Sequence, residues 1–157
     1  MAPSMILLMR HAEKPADAND PDLSQEGSAR AEKLATYIPQ TIGAIDFLFA
    51  TTISKHSARP FETIKPLSKA TGVPIDAPYA DQDYDSLAAE LLSDQRYAGR
   101  RGVIAWHHRF IPSFAGALGA ANSTYPNPWD PKVFNLILKF EWGTATGPVV
   151  TKVVEPF

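Results

Sequence analysis

A chain of 157 residues, 45% hydrophobic and 20% charged, is long enough for one domain, 1–157, with a sizeable buried core. The absence of cysteine excludes disulfides, thiolate chemistry and cysteine-ligated metal centres, and a net charge of −2 gives no global pull toward nucleic acid. No apolar run approaches a membrane span, and Met5–Met9 is too short, with no cationic lead, to be a signal core. The expected location is the cytoplasm, with no membrane or nucleic-acid partner.

In chain order, Met5–Met9 (MILLM) reads as a buried strand, ending in Arg10-His11 before a polar, proline-containing turn. From Ser24 to about residue 42, Ala31, Leu34, Ala35 and Ile38 recur at helical spacing, and Gly43 stops the helix. Residues 44–50 (AIDFLFA) predict a second strand. A basic loop, SKHSAR, then carries the chain into a helix from about Arg59 to Ala70, closed by Gly72-Val73-Pro74. Asp83–Tyr97 predicts a third helix, with Leu87, Ala88, Leu91 and Leu92 on one side. Gly102–Trp106 (GVIAW) is another strand, running into His107-His108, and a helix follows from Pro112 to about Leu118. The proline- and asparagine-rich loop NSTYPNPWDP leads to Phe134–Trp142 and, across GTATG, to Val149–Val154, an antiparallel hairpin. Alternating strands and helices predict an α/β fold: a three-layer α/β/α sandwich with a mainly parallel sheet and a C-terminal antiparallel hairpin.

Three of the four histidines directly follow strand-like runs. Strand ends are where open α/β sheets bind ligands. Adjacent residues on a strand point to opposite faces, so only one of His107 and His108 can face a given pocket.

Arg10-His11-Ala12-Glu13 resembles the Arg-His-Gly signature of the histidine phosphatase superfamily, in its phosphoglycerate-mutase-like branch. Leu23-Ser24-(x2)-Gly27-(x2)-Arg30-Ala31 is similar to the segment that opens that family's first helix. Arg59-Pro60-Phe61-Glu62-Thr63 is similar to the segment carrying its second phosphate-binding arginine, and GVIAWHHRFIP to the late strand that delivers its second histidine. The four motifs occur in the family's order across residues 5 to about 119.

The resemblance implies a phosphatase acting on phosphomonoesters or phosphoprotein groups without cofactor or metal. His11 is then the nucleophile, forming a phosphohistidine that splits one slow hydrolysis into two steps. Arg10 and Arg59 clamp the phosphoryl oxygens with planar forks that lysine cannot reproduce. His108, as imidazolium, binds a remaining oxygen; it is selected over His107 because the family's late histidine precedes the helix-starting apolar residue, here Ile111, by three positions. The general acid is sought among Asp76, Asp81, Asp83, Asp85, Glu90 and Asp94, with Asp83 first; as a helix N-cap it has an equally good structural role. Ala12 replaces the family's glycine, and the mutases' Glu-containing segment and long lid insertion are absent. The chain's size is closer to the short phosphohistidine phosphatases. The expected substrate is a phosphorylated small molecule or a phosphoprotein. The alternatives are a weakly active or non-catalytic binder of phosphorylated ligands, a metal-dependent hydrolase built on His107, His108 and nearby carboxylates, and, last, a phosphoglycerate mutase.

Overall fold

Every residue of Met5–Arg10 (β1) is buried, as expected for a parallel strand covered on both faces. In a computed structural model that describes all 157 residues, β1 lies inside a six-stranded sheet. The other elements are α1 (Gln25–Tyr37), β2 (Phe47–Ala50), α2 (Arg59–Thr71), β3 (Ile75–Asp76), α3 (Tyr84–Ser93), β4 (Arg101–Trp106), α4 (Ile111–Ala117), β5 (Leu136–Glu141) and β6 (Val149–Val154). The strand order is β3-β2-β4-β1-β5-β6. The first four strands in that order are parallel; β5 runs antiparallel to β1, and β6 pairs with β5 as the expected hairpin.

Strand alternation divides the core into two clusters. Met5, Leu7, Met9, Leu48, Val103 and Ala105 face Leu34 of α1 and Ile64 and Leu67 of α2. Ile6, Leu8, Phe47, Phe49, Ile104 and Trp106 face Leu87 and Leu91 of α3 and Phe114 and Leu118 of α4. Helices therefore cover both faces, in three layers. No helix is long and apolar enough to cross a membrane.

Element ends differ from expectation where local chemistry intervenes. The first helix leaves α geometry at Ile38, where Pro39 enters a wider turn over Ile38–Ile42. The third stops at Asp94, whose carboxylate bonds the Arg96 N–H and starts a separate 3-10 turn over Gln95–Tyr97. Phe134 is not in β5; it lies in the preceding loop. The two-residue edge strand β3 was not expected, being too short to show a period.

Ser24 caps α1, its hydroxyl accepting the Gly27 N–H at 3.0 Å. Gly27 is required for a different reason. A Cβ there would overlap the carbonyl oxygen of Glu13 and stand 2.9 Å from its nitrogen, so α1 packs directly on the backbone after β1. Alanine is favoured over glycine inside a helix by about 1 kcal/mol. Gly27→Ala should nevertheless destabilise the protein, by about 2 kcal/mol or more. Thermal unfolding checks this: an unchanged or raised Tm would mean that the Glu13 loop yields freely.

Candidate active site

The last residues of β1 and β4 meet side by side. Their register pairs Met9 with Ala105 and Arg10 with Trp106, and the ladder runs one step further through a His11 N–H to Trp106 carbonyl bond of 3.1 Å. His11 thus lies opposite His107, which is still extended (φ −89°, ψ 136°), and their ring centroids are 5.5 Å apart. His108 already begins a 3-10 turn, His108–Phe110. The spacing that singled out His108 assumed that the chain passes straight from strand to helix. The intervening turn breaks that count, and His107 is the residue brought to His11.

His11 is 3% exposed. Its Nδ1 lies 2.6 Å from the Ala12 carbonyl oxygen, an acceptor only, so Nδ1 carries the proton and Nε2 keeps its lone pair. Burial, reinforced by Arg10, His107 and Arg59, drives the His11 pKa down to about 3 against the Ala12 hydrogen bond. His107 is lowered by burial and by both arginines, with Asp81 acting in the opposite direction. Burial, Arg10, Lys14 and His107 bring His108 to about 4. All three rings are neutral at neutral pH in the free protein.

Arg10, also 3% exposed, stacks 4.0 Å over the Phe134 ring and donates through Nη1 to the Pro131 carbonyl at 2.5 Å. Arg59, at the start of α2, donates through Nη1 to the Asp20 carbonyl at 2.7 Å. Burial and Arg59 lower the Arg10 pKa to about 10, so it remains cationic. The Nε atoms of Arg10 and Arg59 are buried without a hydrogen-bond partner, as is Thr51 Oγ1 at the end of β2. Unpaired buried donors cost about 1–3 kcal/mol each.

Asp83 is exposed, and its side chain makes no capping bond to α3. Asp81, two residues earlier, is half-buried; its carbonyl accepts the Trp106 Nε1–H at 2.9 Å, and its charge reaches His107. The carboxylate connected to the histidine pair is therefore Asp81. His56 is exposed in its loop. No three His, Asp or Glu side chains converge in a geometry that could hold a metal ion.

Sequence reasoning did not assign Thr63, Phe134 or the Glu13–Arg30 pair. Thr63 Oγ1 accepts the Ala12 N–H at 2.9 Å and donates to the Arg59 carbonyl at 2.7 Å, linking the His11 loop to the helix that carries Arg59. A threonine among Ile64 and Leu67 on a buried helix face was the available signal. Beside the cluster opens a cleft of about 910 Å³, between Glu13–Ala16 on one wall and Pro131–Asn135 on the other. It adjoins the histidines rather than enclosing them, and Phe134 and Pro131 belong to both sites.

No protein-family model and no curated protein sequence matches the chain. Solved structures do. The protein histidine phosphatase SixA in complex with tungstate superposes with a TM-score of 0.70 at 12% identity, over 96% of each chain. The fold is that of the histidine phosphatase superfamily. A mycobacterial glucosyl-3-phosphoglycerate phosphatase with inorganic phosphate matches at TM-score 0.62 and 12% identity, over 97% of this chain and 96% of the other. A phosphoglycerate mutase from Plasmodium falciparum matches at 0.59 and 13%, over 95% of this chain and 89% of the other. At such identities the likeness is one of histidine phosphatase fold.

A histidine whose pKa is lowered on folding contributes stability above its ordinary value, and that contribution is lost as pH falls toward the folded value. For His11 the window runs from 6.5 down to about 3. Relative to His11→Asn, the wild type should lose stability across that window, measured by denaturant unfolding, and ¹⁵N spectra should show a neutral ring protonated at Nδ1. A His11 that titrates near 6.5 would contradict the burial argument.

Proposed function

We propose that the protein is a phosphatase that transfers a phosphoryl group to His11 and then to water. One observation carries the reading: a neutral, buried histidine with Nε2 free stands beside the buried Arg10 and the half-buried Arg59, each with a buried, unpartnered Nε. A neutral imidazole is a nucleophile, whereas an imidazolium is not. The cations stabilise the charge on the phosphoryl oxygens without reorganising, because Phe134, Pro131 and Asp20 already hold them. Fold neighbours solved with tungstate and with inorganic phosphate support a tetrahedral oxyanion as the occupant.

In this reading Nε2 of His11 attacks phosphorus and the bond to the leaving oxygen breaks. That oxygen takes a proton from Asp81, which replaces Asp83 in the role. Water, giving a proton back to Asp81, then attacks phosphorus; the P–N bond breaks, its electron pair returns to Nε2, and inorganic phosphate leaves. His107, in place of His108, hydrogen-bonds a phosphoryl oxygen. The dianion facing His107 raises its proton affinity, so binding converts it toward imidazolium. The open cleft beside the cluster suits a leaving group larger than a simple alcohol, on a phosphorylated metabolite or a phosphoprotein.

Hydrolysis of p-nitrophenyl phosphate across acid to neutral pH tests the proposal. His11→Asn should abolish turnover, and rapid quenching of the wild type should trap acid-labile phosphate on a histidine. Arg59→Lys should lose about 10²–10³ in rate, the scale for one preorganised donor. In a matched pair, His107→Asn should be inactive and His108→Asn should retain most activity. Turnover that persists in His11→Asn would end the reading; phosphate binding without turnover by the wild type would select the phospho-ligand binder instead.

A further inference from the structure

Arg30 of α1 is enclosed by two carboxylates. Its Nε and Nη2 grip Glu13 at 2.9 to 3.1 Å, and Nη1 donates to Glu155 at 2.9 Å and to the Phe157 carbonyl at 2.7 Å. Glu155, just beyond β6, is 3% exposed. Glu13 is two residues from His11, and its carbonyl accepts both the Ser24 N–H at 3.0 Å and the Ser24 hydroxyl at 3.2 Å. The Glu155 backbone N–H bonds the Asn135 carbonyl at 2.8 Å, next to the Phe134 that lies under Arg10. Glu155 therefore joins both walls of the 910 Å³ cleft: through Arg30 the loop that follows His11, and through its main chain the loop that holds Arg10.

We infer that Glu155 is a proton-sensitive positioning residue, setting the separation of these two loops and hence the fit of substrate beside His11. The inference takes the His11 pocket from the proposed phosphatase reading, but the coupling it describes exists whether or not the pocket turns over. With both carboxylates ionised, one guanidinium faces two negative charges in a space largely closed to water. Glu13 holds the bidentate contact and is lowered: burial pushes it up, but the hydrogen bonds and charge of Arg30, with a backbone hydrogen bond and Glu26, together outweigh it. Glu155 has the single contact; burial, aided by Glu13 and opposed by Arg30, raises it to about 7. Glu26 faces Glu13 from α1, Lys33 lies 5.7 Å from the Phe157 ring, and Lys14 and Lys132 line the same cleft as Glu13 and Arg30. Protonation of Glu155 leaves the Arg30–Glu13 pair neutral as a unit. Ionisation makes the cluster anionic and draws Arg30 toward Glu155, away from Glu13 and the His11 loop.

The test is a pH titration of the wild-type chain and of Glu155→Gln, which keeps a side chain able to bond Arg30. Carbon-13 NMR should give a Glu155 carboxyl midpoint near 7. The His11 ring and Phe134 backbone signals should follow the same midpoint in the wild type and lose it in Glu155→Gln. If the wild type hydrolyses p-nitrophenyl phosphate, its KM should change through that midpoint with kcat nearly constant, and the KM change should vanish in the variant. A Glu155 midpoint near an ordinary carboxylate value, or His11 and Phe134 signals with the same transition in both proteins, would overturn the inference. Should Glu155→Gln fail to fold, the wild-type titration alone decides: His11 and Phe134 signals indifferent to Glu155 ionisation defeat it. Absence of turnover with the NMR coupling intact would count against the phosphatase reading and leave this one standing.

Discussion

The parallel pairing of β1 with β4 decides which side chains of this protein can meet. In a parallel ladder, residues at the same level project to the same side, so the alignment of Arg10 with Trp106 fixes His11 against His107. Shifting the pairing by one residue would turn the whole apolar set of β1 to the wrong helices, a cost far larger than any contact in the pocket. The core thus enforces the geometry of the site. Met9 and Ala105 pack on α1 and α2, and the next residues on the same side are the two histidines.

That placement sets the electrostatics. Two guanidinium groups and three imidazoles share the C-terminal edge of the sheet, and burial pushes each of them away from carrying charge. The arginines resist because guanidinium is too basic to neutralise. The histidines yield. Burial alone would suppress the positive charge of an isolated ring; next to Arg10 and Arg59 it leaves nitrogen lone pairs inside a positively charged pocket. The carbonyls of Pro131 and Asp20 and the face of Phe134 hold the cations without cancelling them.

Most strands and helices were legible in the sequence because they are periodic or apolar throughout: β1, β4, the hairpin and the three longer helices stand where the patterns put them, apart from the ends of α1, α3 and β5. Arg10 and His11 stood out because they end an apolar strand, whereas Arg59 was singled out only by the resemblance of its segment to a family motif. His107 was not. Alternation narrows an adjacent pair to two choices, and only the partner strand's register decides between them. Asp81 stood among six candidate carboxylates without being preferred, and Phe134 was placed in a strand, because both belong to connecting segments whose paths are set by distant anchors, the Trp106 indole for one and the Arg10 guanidinium for the other. The role of Glu155 depends on a contact with Arg30 across 125 positions, which no local pattern records.

The reversal of direction at β5 divides the pocket by origin. Parallel strands deliver His11 and His107 from their C-terminal ends, whereas β5, running the other way, contributes the segment before its first residue. Pro131 and Phe134 thus come from the 119–135 connection, which carries no strand of the sheet. Ala120, Tyr125 and Trp129 anchor this connection in the core, and the exposed stretches between those anchors can vary without disturbing the ladder that aligns the histidines. One fold can accordingly keep its paired histidines constant while a single connection, apart from the residues that hold Arg10, remodels the far wall of the neighbouring cleft.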